Sequence, residues 1–106
     1  MKKIALLAAL LLSAPAFAAD HLATIVIKDH KFNPAVLEVP ADTRIKLTVD
    51  NQDPTAEEFE SYDFNREKII GGNKKALIFI NPLEKGEYKF FGEFNPKTAQ
   101  GKIVAK

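Results

Sequence analysis

Three glutamates crowd the stretch Glu57-Glu-Phe-Glu60, and a fourth, Glu93, sits inside Phe90-Phe-Gly-Glu-Phe-Asn-Pro96. Gathered carboxylates offer hard oxygen donors, suited to iron, manganese or calcium, and they accept Cu(II) where an imidazole assists. His30 is one source of imidazole. Asn95 adds a weaker donor through its carbonyl oxygen. The ordinary role of surface glutamates is solvation, but glutamate is disfavoured in strands, so three together in a strand-like stretch point to chemistry. Strand alternation sets Glu58 and Glu60 on one face and Glu57 with Phe59 on the other. One residue of register decides which pair turns toward the Glu93 loop. His21 raises a separate chemistry. Cleavage after Ala18 would leave the terminus Ala19-Asp20-His21. Its amine, two amide nitrogens and third-position imidazole form a square-planar set suited to Cu(II) or Ni(II). Cleavage after Ala19 removes that set.

The segments that must hold these residues are short and mostly repeat every two residues. Thr43–Val49 turns Ile45, Leu47 and Val49 one way and Arg44, Lys46 and Thr48 the other, which is the pattern of a half-buried strand. Ala23–Ile27, Val36–Val39, Phe59–Phe64, Lys68–Ile70, Ala76–Ile80, Gly86–Phe91 and Lys102–Ala105 complete the set. Gly71-Gly-Asn73 marks a turn, because glycine and asparagine tolerate positive φ. Pro82–Tyr88 has the form of a tyrosine corner, in which a phenol ties a crossover to its own strand. Seven to eight strands separated by Pro, Gly and Asn turns predict an all-β, antiparallel Greek-key sandwich.

Residues 1–18 read differently. Lys2 and Lys3 precede the apolar run Ile4–Leu12, and Ala16-Phe-Ala18 ends the segment in the manner of a cleaved secretory signal peptide. Residues 19–106 then form one domain, exported and periplasmic, too small for a second core. Removing Lys2 and Lys3 takes the formal charge from +1 to −1. That balance argues against nucleic acid as a partner, which needs a basic face. The chain has no cysteine, so it carries neither a disulfide nor a thiolate ligand, and packing alone must stabilise it. Seven phenylalanines remain after position 18 to do so. There is no nucleophile–histidine–acid grouping, and no catalytic residue is assigned.

Four stretches carry a family resemblance: His30-Lys-Phe-Asn-Pro34 leading to Leu37-Glu-Val-Pro-Ala41, Leu47-Thr-Val-Asp-Asn51, Glu57-Glu-Phe-Glu-Ser61, and Tyr88–Gly101. Together they resemble the cupredoxin-like periplasmic domains of bacterial iron uptake, the EfeO-type group, over nearly all of residues 19–106. Blue copper proteins of that fold take one histidine from a slot that falls here at Glu57 or Glu58. Their cysteine, histidine and methionine align with Gly92, Asn95 and Ala99. All four are replaced, and without a thiolate the blue centre is excluded. The resemblance implies a protein that binds an iron or copper ion, Fe(II) or Cu(II), and assists oxidation or delivery of iron to a membrane permease or another periplasmic uptake component. Glu57, Glu58 and Glu93 are the first ligand candidates, then Glu60, His30 and Asn95. The alternative is a metal-free adaptor that docks on a transport component through its Phe90–Pro96 loop.

Overall fold

The computed structural model describes residues 19–106; the expected signal peptide lies outside the described residues. Nine strands are present among them: β1 (His21–Lys28), β2 (Lys31–Asn33), β3 (Val36–Val39), β4 (Ile45–Asn51), β5 (Glu57–Ser61), β6 (Arg66–Ile70), β7 (Lys75–Ile80), β8 (Gly86–Gly92) and β9 (Gln100–Ala105). They form a four-stranded sheet, β2-β1-β4-β7, and a five-stranded sheet, β3-β9-β8-β5-β6. The all-β sandwich matches the alternation in the sequence. The strand beyond the seven or eight anticipated is β2, which pairs with β1 around the two-residue turn Asp29-His30.

Two pairings depart from the antiparallel expectation. β1 runs parallel to β4, with His21 opposite Ile45 and Ile27 opposite Asn51, and β3 runs parallel to β9. Neighbours in one sheet are here joined through the other sheet, and that is how parallel pairs arise without helices. The fifth strand also stops earlier than its apolar pattern suggests. Ser61 donates its hydroxyl to Lys89 O and accepts the Phe64 N–H, and Asn65 takes φ 54°, so residues 62–65 turn.

The inward residues of both sheets meet in one core. Ile25, Ile27, Ile45, Leu47, Val49 and Phe59 are fully buried. Rings from three strands lock together: Phe59 stacks on Phe90 at 5.0 Å, and Phe32 meets Phe90 edge-on at 5.1 Å, an arrangement that adds to area burial. Tyr88 donates its hydroxyl to Glu84 O at 2.7 Å, the contact expected of a tyrosine corner.

Candidate functional site

The two ends of the sandwich differ, and the chemistry collects where the loops after β1, β4, β6 and β8 meet. Asn51, fully buried, organises that end. Its amide donates to the carbonyls of Thr55, Ile70 and Gly71, and its oxygen accepts the Asp53 N–H. Asp53 then accepts the N–H groups of Asp29 and His30 at 2.8 and 2.9 Å. Both turn residues have positive φ, 53° and 59°, so the carboxylate holds a hairpin corner that non-glycine residues seldom adopt. Burial works against the charged form of Asp53. The His30 and Asp29 N–H groups, with the nearby imidazole and Lys28, outweigh it and hold the carboxyl below its usual range.

The His30 backbone is therefore held at this end, and its half-exposed imidazole lies with Nδ1 3.6 Å from Asp53 Oδ2. It faces a cleft of about 360 Å³ whose other wall is Phe94–Thr98. His30 and Asn95 thus line the same cleft.

Glu57 is the interior member of the set, 1% exposed. The inward residues of β5 are Glu57, Phe59 and Ser61, while Glu58 and Glu60 face outward. Glu57 Oε1 accepts the N–H groups of Glu58 and Phe94 at 2.9 and 2.8 Å, and Oε2 accepts Asn95 Nδ2 at 2.9 Å. Gly92 and Ala99 complete the surroundings. A Cβ on Gly92 would lie 2.6 Å from Ala99 Cβ, 2.6 Å from Glu57 Cδ and 2.7 Å from Glu57 Oε2. The carboxylate fills the space a side chain at position 92 would need. Of the four positions aligned with blue-copper ligands, Glu57 and Asn95 are hydrogen-bonded to each other, while Gly92 and Ala99 bring no donor side chain. This donor set does not fit a blue copper centre, which needs a thiolate.

Glu58 and Glu60 form a second group on the outer face of the five-stranded sheet. The β5–β6 register places Glu67 directly opposite Glu60, and Glu58, Glu60 and Glu67 each bring an oxygen within 4.8 Å of the others. A hydrogen bond with Glu67, partial burial, and the charges of Glu67, Glu60 and Glu93 raise the Glu58 carboxyl. Partial burial and the charges of Glu67 and Glu93 raise that of Glu60. Tyr62, its ring tilted against that of Phe91 at 5.3 Å, is raised as well, chiefly by the Glu60 charge. Glu93 belongs to this group by its charge, while its N–H extends the sheet by donating to Glu58 O.

The six loop-end candidates are thus divided: Glu57 inside with half-buried Asn95 bonded to it from the cleft wall, Glu58, Glu60 and Glu93 on the outer face, and His30 across the cleft. Residue type and spacing alone do not single out Glu67, Asn51 or Asp53. Glu67 was legible in principle, as the cross-strand partner of Glu60 over a four-residue turn. His21 begins β1, roughly 20–25 Å along the strand from His30. Its N–H donates to Arg44 O at 2.8 Å, and Asp20 is held by two hydrogen bonds from Arg44. A square-planar terminal site would need that amide nitrogen released from the sheet.

A family model described as a cupredoxin-like domain matches residues 2–105. An uncharacterized protein of Rickettsia prowazekii is 50% identical over 80 residues, which cover 76% of this chain and 64% of that protein, so the match leaves about a third of the relative unspanned. Among solved structures, auracyanin A, a blue copper protein from Chloroflexus aurantiacus, superposes with TM-score 0.72 at 13% identity, covering 83% of this chain and all of that one. The metal-binding domain of the Cu(I)-exporting P-type ATPase of Streptococcus pneumoniae, with Cu(I), gives 0.71 at 17% identity, covering 86% and 92%. Amicyanin from Paracoccus versutus gives 0.62 at 16% identity, covering 90% and 87%. At these identities the structural likeness shows the fold alone.

Proposed function

Starting from a chain that belongs to the family of cupredoxin-like domains, we propose that it is an exported, periplasmic metal-handling protein of iron uptake, holding its ion on the outer sheet face. The observation that carries this reading is the meeting of Glu58, Glu60 and Glu67 oxygens within 4.8 Å. Like charges so close resist joint ionisation, and a bound cation relieves the repulsion as a proton does. Carboxylate oxygens favour hard ions, and three of them leave coordination positions open for exchange. That arrangement suits binding and handover of Fe(II) to a membrane permease or another uptake component better than electron carriage. The resemblance to iron-uptake domains supports the reading.

Calorimetric titration of residues 19–106 with Fe(II) and Cu(II) tests it. Micromolar binding that drops at least tenfold in Glu58→Ala/Glu67→Ala, but persists in Glu57→Gln, is the expected result. Binding of neither ion at micromolar concentration, or indifference to the double substitution, rejects the reading.

The same face sets a pH dependence. Glu58 and Glu60 have folded values raised above their unfolded ones, so the folded state holds more protons in the window just above the ordinary glutamate range. Their contribution to stability falls as pH rises through that window. Asp53 acts with the opposite sign: its value is depressed, so its contribution is present above the ordinary aspartate range and lost as pH falls through the folded value. Glu67→Gln is expected to flatten the decline above the glutamate range and leave the acid-side loss intact, measured by urea unfolding across pH.

A second reading, the metal-free adaptor, is favoured by one observation. Phe94 is 50% exposed at the tip of the Phe90–Pro96 loop, beside the cleft shared with His30 and Pro96. Capture of the permease that survives chelator and is lost in Phe94→Ala would select it.

A further inference from the structure

We propose that Glu57 and Asn95 form an internal latch that stands in for a metal ion, so that the loop joining β8 to β9 is fully built in the metal-free protein. Blue copper proteins of this fold hold their ion at this place, and the donor set here does not fit a blue copper centre. The disagreement has a physical content of its own.

An ion bound at this end would tie the start of β5 to the β8–β9 loop. The Glu57 carboxylate ties the same two segments. It takes one N–H from its own strand, at Glu58, and two donors from the loop, at Phe94 N and Asn95 Nδ2. Hydrogen bonds to a carboxylate are stronger than those between neutral groups, and a carboxylate buried to this degree persists only where such donors meet it. The surrounding residues are shaped to the carboxylate, because Gly92 leaves room for Glu57 Cδ and Oε2 that any side chain would take. The loop then closes on itself. Gly92 N donates to Ala99 O, Asn95 N to Gly92 O, and Ala99 N to Asn95 O. Every buried side-chain polar atom among the described residues has a hydrogen-bond partner, so the buried Glu57 carboxylate is satisfied by the protein's own donors. The latch is independent of the outer acidic face, and either idea can fail alone.

Amide exchange and thermal melts of residues 19–106 test the latch. In the parent protein the Phe94 amide is expected to stay protected, and the melting temperature unchanged, after chelation and after addition of Cu(II) or Fe(II) at a level that leaves the outer face unoccupied. Glu57→Gln is expected to be mild, because the Asn95 amide can turn and present its oxygen to the new NH₂. Asn95→Asp sets two carboxylates against each other and is expected to cut Phe94 protection at least tenfold. Glu57→Gln placed on Asn95→Asp restores one donor facing one acceptor, and protection is expected to recover. A packing role alone predicts no such rescue, since these exchanges barely change volume. Loss of Phe94 protection on chelation of the parent protein overturns the latch, as does a double variant no better protected than Asn95→Asp. The chelation measurement needs no variant, so poor folding of Asn95→Asp leaves the proposal open to refutation.

Discussion

Gly92→Cys, which puts sulfur back at the position aligned with the blue-copper cysteine, is expected to destabilise the protein without producing an intense thiolate–copper absorption band. The obstacle is geometric. The first atom of the new side chain would lie 2.6 Å from both Ala99 Cβ and Glu57 Cδ, and 2.7 Å from Glu57 Oε2. Ala99 is fully buried and part of a hydrogen-bonded loop. Glu57 cannot swing away without abandoning three donors. Overpacking of this kind costs roughly 2–4 kcal/mol, which for a domain of this size lowers the melting temperature by about 10–25 °C. Gly92→Cys combined with Ala99→Gly removes the Ala99 contact while keeping the Glu57 carboxylate and its donors, and is expected to recover part of the loss. Thermal melts of both variants, with a copper titration followed in the visible range, decide the matter. An undiminished melting temperature in Gly92→Cys would show that the loop yields, contrary to the packing described above.

Asn51→Asp is expected to be more damaging than Asn51→Ala, although aspartate matches the asparagine shape. The Asn51 amide faces three carbonyl oxygens, those of Thr55, Ile70 and Gly71, at 2.9, 3.1 and 3.2 Å. Alanine leaves those carbonyls and the Asp53 N–H short of a partner, at a cost of about 2–3 kcal/mol. Aspartate adds an anion facing three acceptors in a fully buried site, raising the cost to roughly 3–5 kcal/mol. Damage should spread to the β1–β2 corner. Asp53 is placed by Asn51 and itself holds the positive-φ residues Asp29 and His30. Urea unfolding measures the cost, and faster exchange of the His30 amide measures the spread. If aspartate proves the milder substitution, the three-carbonyl account of this position is wrong.

The outer face and the interior latch answer to different parts of the sequence. Alternation in Glu57-Glu-Phe-Glu60 already separates Glu57 from Glu58 and Glu60, because neighbouring residues of a strand point to opposite faces. Likewise Thr43–Val49 shows its buried face, Gly71-Gly-Asn73 its turn, and Tyr88 its corner, all from local pattern. The absence of cysteine rules out a thiolate centre. These properties need only a residue and its near neighbours in the chain.

Tertiary structure decided what depends on distant segments. Which half of the glutamate run is buried rests on pairing: Phe59 lies opposite Gly92 and Lys68, and that register turns Glu57 inward onto Phe94 and Asn95. Glu93 shares the last loop with Asn95, yet its charge acts on Glu58 and Glu60 outside while Asn95 meets Glu57 inside, since adjacent residues diverge. The third carboxylate of the outer group, Glu67, comes from the neighbouring strand and is joined to Glu60 only by the hairpin register. The parallel β1–β4 and β3–β9 pairs arise the same way, from chain crossing between sheets. Residue types and their alternation are written along the chain. Which of them share a space is set by strand register, and a shift of one residue would exchange the buried carboxylate for an exposed one.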